Sequence, residues 1–190
     1  MIALRCVTSN AWLDAVVADF DAFLIDHAAN ERKASAVALS LITHYPDRKR
    51  LVRAMMDIAR EELDHYDQVY RRMEEQGLTF GPDTRDPYVG SLRSQLRQGS
   101  EHYFLDRLIA GGIVEARGHE RFSLLAAAPI GAPLQAFYRG LAASEARHAE
   151  TFIDLAHEYF PADEVNPRCE ELLTIEAEIV TELPFRAALH

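Results

Sequence analysis

The sequence predicts an all-α protein: two long helical hairpins joined by a crossover, followed by one additional C-terminal helix. Three observations carry that expectation. Apolar residues recur at alternating steps of three and four through four long stretches. The proline- and glycine-bearing breaks between those stretches run short, long, short. No stretch shows the period-two alternation of a half-buried strand.

Ser9 or Asn10 is a capping residue for the first helix, which is expected to continue to about Tyr45. Its stripe reads Val17, Phe20, Leu24, His27, Glu31, Ala34, Ala38 and Leu41, with two polar residues in mid-course. Pro46 and Asp47 break the chain, and the second helix runs to about Gln76 with the stripe Leu51, Met55, Ile58, Glu62, His65, Val69. From Gly77 to Ser100 the chain carries Gly81, Pro82, Asp83, Pro87 and Gly90 and reads as a crossover, with SLRSQLR as a short helix inside it. The third helix covers roughly Glu101 to Ala127, with Phe104, Leu108, Gly111, Glu115 and Phe122 inward. Pro129, Gly131 and Pro133 make a tight turn. The fourth helix runs to about Phe160 on the stripe Leu134, Tyr138, Leu141, Glu145, His148, Phe152, Leu155. Asn166 and Pro167 are an N-cap and first-turn signal for a last helix ending near Leu183.

At 190 residues and 48% hydrophobic content, the chain suits a single domain spanning 1–190 with a full core, and disorder is disfavoured. No apolar run approaches the ~20 residues needed to span a bilayer, so no membrane partner is expected. MIALRCVTSNAW lacks a secretory charge-then-apolar pattern. Cys6 and Cys169 form no C-x-x-C, which fits a reduced, cytoplasmic protein. The formal charge of −10 argues against a strongly basic nucleic-acid module, although two divalent ions would cancel about four of those charges.

Chemistry concentrates in AREELDHYD and SEARHAETF, each holding an E-x-x-H pair, Glu62/His65 and Glu145/His148. Residues three apart share a helix face, so each pair can aim a carboxylate and an imidazole at one metal. In an antiparallel hairpin, residues equidistant from the turn lie at one height. Glu31 and Glu62 are equally far from the point between Pro46 and Asp47, and Glu115 and Glu145 are equally far from Ile130. Glu120, the competitor for the third-helix role, is mismatched by about five residues, or ~7.5 Å along the axis. Glu61 and Asp64 fall off the stripe. Isolated Glu and His residues on helices are usually surface residues. Here all six lie on apolar stripes, where burying four carboxylates without counter-charge would cost several kcal/mol each. A dinuclear metal site of Glu31, Glu62, His65, Glu115, Glu145 and His148 is the expectation. Four carboxylates and two imidazoles without thiolate suit two iron ions, or manganese, better than structural zinc. The order E, E-x-x-H, E, E-x-x-H with a long central crossover is that of ferritin-like four-helix bundles.

The segments LIDHAANERKASAVAL, AREELDHYDQV, EARGHERF and SEARHAETF resemble the tRNA 2-methylthio-isopentenyladenosine hydroxylase family, across nearly the whole chain. The family's ligand set maps onto the six residues chosen by depth. The resemblance implies a non-haem di-iron monooxygenase that hydroxylates the isopentenyl group of a modified adenosine beside the anticodon. It implies dioxygen as co-substrate, an external electron donor supplied by a redox partner protein, and a tRNA anticodon stem-loop as substrate. The chain departs from the family's small residues, often Cys, at Asn30 and His119, which bears on the pocket lining. The alternative function is a ferritin- or rubrerythrin-like protein that oxidises iron or reduces peroxide; the absence of C-x-x-C pairs disfavours a rubrerythrin iron domain.

His27, four before Glu31, and His119, four after Glu115, are candidates for proton gating or substrate contact, or for ordinary hydrogen bonds. Gly111, Gly112 and Gly118 around Glu115 either leave room for substrate or permit close helix packing. Arg48, Lys49, Arg50 and Arg53 are the densest basic cluster, with Arg93 and Arg97 as additions. They are candidate RNA contacts if the resemblance holds, and otherwise a solvated helix start.

Overall fold

A computed structural model describes residues 2–82 and 85–190; Asp83 of the crossover lies outside them. Seven helices and no strand occur among the described residues. They are α1 (Asn10–Ala18), α2 (Phe20–His44), α3 (Lys49–Glu75), α4 (Pro87–Ser94), α5 (Ser100–Ala127), α6 (Ala132–Tyr159) and α7 (Ala162–Glu182). Two compact units result. One comprises Asp14–Thr84 with Arg186–Leu189, and the other Met1–Leu13, Arg85–Phe185 and His190.

The first unit is built on the α2–α3 hairpin. Its turn is closed by backbone bonds from Tyr45 N to Leu41 O (3.0 Å) and Arg48 N to Tyr45 O (3.2 Å). Phe23, Leu24, Ala28, Ala38 and Leu41 are buried on α2, and Leu51, Met55, Ile58, Val69 and Met73 on α3. Ser35 Oγ donates to Ala59 O across the hairpin at 2.9 Å. The end of α3 has a positive-φ Gly77, and Leu78 N donates back to Met73 O at 2.8 Å. This αL closure turns the chain sharply and satisfies a last-turn carbonyl.

The expected first helix is in fact two. Asp19 leaves helical geometry (φ −139°) and its carboxylate accepts from Ala22 N, so it caps α2 in what reads as mid-helix. The break rotates the preceding turn, burying Val16 and leaving Val17 46% exposed, against the predicted stripe. Asp competes for backbone amides, and here that local bond prevails over periodicity.

The second unit is built on the α5–α6 hairpin, with α4 and α7 against it. Gly131 makes the turn at φ +92°, a backbone state open to glycine without strain. Gln135 Nε2 ties the turn by donating to Ala128 O at 2.7 Å. The crossover helix lies earlier than SLRSQLR. Asp86 accepts from Val89 N at 3.1 Å and Pro87 occupies the first turn, a cap-plus-proline start. The last helix begins at Ala162, before Asn166. Pro161 precedes it, Asp163 and Glu164 stabilise its first turn, and Pro167 sits inside it. Asp163 is exposed, so the carbonyl that Pro167 leaves without a helical donor is within reach of water.

Buried charge organises this unit. Arg117 is fully buried; its Nε and a terminal nitrogen donate to Glu176 at 2.8 and 3.0 Å, and it also reaches Glu120, Thr8 and the Cys6 carbonyl. Tyr88 Oη donates to Glu176 at 3.0 Å. Asp106, also fully buried, accepts from Arg97 and Arg168, each at 2.7 Å at closest. These pairs join α4, α7 and the N-terminal segment to α5.

Candidate metal centre

Each hairpin presents two carboxylates and one imidazole inward. On α2 and α3, Glu31, Glu62 and His65 are buried, and each offers a ligand atom within 4.8 Å of the others. His65 Nδ1 stands 3.6 Å from Glu31 Oε2 and 3.5 Å from Glu62 Oε2. On α5 and α6, Glu115, Glu145 and His148 are likewise buried and within 4.8 Å of one another, with His148 Nδ1 4.0 Å from Glu115 Oε2. The E-x-x-H spacing supplies two donors from one helix face, and the opposing helix supplies the third.

The electrostatics of the α2–α3 group are those of a cation site. Burial alone would lower His65, but contact with Glu31 and Glu62 overcomes it and pushes the imidazole up to about 10. Burial alone would raise Glu31, yet His27 and His65 hold its carboxyl well below the usual range. The group therefore favours positive charge among its donors, as a proton on His65 or as a bound cation.

The structure also places the residues around these donors. His27 is fully buried and its Nε2 donates to Glu31 Oε1 at 2.7 Å. His119 Nδ1 donates to Ala142 O at 2.7 Å, an ordinary hydrogen bond between α5 and α6. Glu120 accepts from Thr8 N and Thr8 Oγ1 at 2.8 and 2.7 Å, which accounts for its charge apart from any metal. Asn30 Nδ2 donates to Asp26 at 2.8 Å. A Cβ on Gly111 would stand 2.8 Å from the Phe152 ring and one on Gly112 3.2 Å from Ile153, so both glycines serve close packing of α5 on α6. Gly118 instead lies against the Glu145 carboxylate, where a Cβ would stand 3.5 Å from Oε2. Of the basic cluster, Lys49, Arg50 and Arg53 are exposed at the start of α3, while Arg48 is half-buried, 3.8 Å from Asp47. Of the two crossover arginines, Arg97 is held by Asp106, while Arg93 is exposed on α4. Arg117 and Glu176 escaped sequence reasoning, because α5 carries several other charged residues, among them Asp106, Arg107, Glu120 and Arg121, and nothing in the spacing singles out Arg117.

A solved structure described as Protein 43 with aldehyde deformylating oxygenase activity, from Synechococcus, matches with a TM-score of 0.92 and 33% identity. The match covers 98% of this chain and 93% of that one. The fold is thus of the all-α ferritin-like class, with a buried carboxylate–imidazole group fit to bind metal in each hairpin. The family model described as tRNA-(MS[2]IO[6]A)-hydroxylase (MiaE) matches residues 1–190, and the chain belongs to that family of enzymes. Two relatives described as tRNA 2-(methylsulfanyl)-N(6)-isopentenyladenosine(37) hydroxylase are similar to it. The Pseudomonas putida protein is 40% identical over 90% of this chain and 82% of its own length. The Salmonella typhimurium protein is 30% identical over 73% of this chain and 50% of its own length. No helix among the described residues is long and apolar enough to cross a membrane.

Proposed function

We propose that the chain hydroxylates the isopentenyl group of 2-methylthio-isopentenyladenosine beside the anticodon of tRNA. Glu31, Glu62, His65, Glu115, Glu145 and His148 hold two iron ions, and residues 1–190 act as a single di-iron domain. The observation that carries this is a buried Glu–Glu–His group in each hairpin of a chain matching the hydroxylase family throughout. The donor set fits the metal: oxygen and imidazole ligands without thiolate suit iron, and four carboxylates balance two divalent ions.

Bound there, the metal pair supplies dioxygen activation, so that one oxygen atom enters an allylic C–H bond and the other leaves as water. The overall reaction consumes two electrons and two protons, delivered by an external redox partner protein. The chain's own residues prepare the setting. His27 fixes the Glu31 carboxylate through its hydrogen bond. Ile58, one turn before Glu62, and Val69, one turn after His65, are buried and keep water from the donors. Lys49, Arg50 and Arg53, with Arg48, contact phosphates of the stem-loop, and the reaction takes place in the cytoplasm.

The test supplies reduced, iron-loaded protein with dioxygen and an isopentenyl-modified anticodon stem-loop, then weighs the nucleoside product. A gain of one oxygen atom is expected. No gain with both irons bound sinks the hydroxylase reading.

A further inference from the structure

On the α2–α3 hairpin, three aromatic rings and a guanidinium form one cluster. Tyr66 and Tyr70 lie one helical turn apart on α3, with ring centroids 5.7 Å apart. Phe80 folds back over both, with its ring plane within 23° of Tyr66 at 6.4 Å and within 16° of Tyr70 at 6.0 Å. Arg32 of α2 sets its guanidinium carbon 5.5 Å from the Phe80 centroid. The three rings are only half-buried and Arg32 is exposed. Among the described residues, neither the Tyr66 nor the Tyr70 hydroxyl makes a hydrogen bond within the protein. The αL turn at Gly77 and the bond from Leu78 N to Met73 O are what bring Phe80 back onto the helix.

We propose that Tyr66, Tyr70 and Phe80, with Arg32, form a platform on which an unpaired base of the tRNA anticodon loop stacks. This rests on the hydroxylase reading and adds to it the surface that receives the RNA. Position supports it: Arg32 follows Glu31 and Tyr66 follows His65, so the platform lies at the height of the α2–α3 metal donors. Chemistry supports it too. Single-stranded RNA is recognised chiefly by stacking unpaired bases on aromatic faces and guanidinium planes. The charge balance is compatible with such stacking. A chain of formal charge −10 gains little from long-range attraction to phosphate, and stacking adds affinity to the local contacts of the basic cluster without depending on charge. Asp67, the neighbouring carboxylate, is paired with Arg71 at 2.8 Å, which limits its repulsion of RNA.

The experiment measures binding of the full, iron-loaded chain to the isopentenyl-modified stem-loop across a salt series, with a short RNA duplex as control. Phe80→Ala and Tyr70→Ala are each expected to weaken stem-loop binding by about tenfold, the scale of a lost base–aromatic stack. The slope of affinity against salt should stay as in the parent chain, because no phosphate contact is lost. Phe80→Trp, which keeps a stacking face, should bind as the parent does. Folded alanine variants that bind the stem-loop like the parent overturn the proposal. So does Phe80→Trp binding as weakly as Phe80→Ala. Unchanged RNA binding with impaired electron delivery would assign the platform to the redox partner protein and equally overturn it. These outcomes are read from binding, so they are separate from the mass assay that tests hydroxylation.

Discussion

At the scale of single residues, His27 determines what Glu31 can do. A carboxylate in an apolar stripe has two oxygens to satisfy, and the buried imidazole takes Oε1 at 2.7 Å while Oε2 turns towards His65. Together with the contact to His65, this hydrogen bond keeps Glu31 ionised despite burial. Partners of this kind typically account for about 10–100-fold in metal affinity. His27→Ala is therefore expected to weaken ferrous or manganous binding by about that factor, measured by anaerobic titration of the folded chain. His27→Gln can still donate to the carboxylate and should lose less. An alanine variant that binds metal as tightly as the parent would show that Glu31 needs no such support.

At the scale of elements, short-range capping decided what periodicity could not. The depth of Glu31 against Glu62, and of Glu115 against Glu145, was legible because both hairpins have short turns and nearly unbroken helices. Helix ends were less legible. Asp19 and Asp86 each cap a helix through one carboxylate–amide bond, and aspartate occurs widely in this chain without doing so. The buried Arg117–Glu176 and Asp106–Arg168 pairs were invisible because they join residues about 60 positions apart. Asp86 gives this scale its prediction. Burial alone would raise it, but His190 at 3.3 Å and the amides of Val89 and Tyr88 hold it at about 2. A carboxyl depressed in the folded state stabilises above its unfolded value, 3.8, and that contribution is lost as pH falls through about 2. Asp86→Asn keeps a capping oxygen but loses the charge. It is expected to be less stable than the parent near neutral pH, with the gap closing towards pH 2 in denaturant melts. A gap independent of pH would mean that the cap, and not the charge, is what matters.

At the scale of the whole molecule, the formal charge of −10 includes the carboxylates of Glu31, Glu62, Glu115 and Glu145, all buried. Without cations their desolvation opposes folding; in the proposed site two divalent ions would take the same groups as ligands. On the proposed function, metal binding would then be a term in stability as well as in catalysis. At about a hundredfold excess over Kd, a site that exists only in the folded state contributes ~2.7 kcal/mol. For a chain of this length each kcal/mol moves the midpoint by about 2–4 °C, so loading should raise it by roughly 5–10 °C. If residues 1–190 behave as one domain around one metal pair, the whole transition should shift together. Glu31→Ala in one unit and Glu145→Ala in the other should each abolish most of the gain. Calorimetry of metal-stripped and ferrous-loaded chain under anaerobic conditions makes the comparison. Separate transitions, of which only one responds to metal, would mean that the two hairpins bind their ions independently.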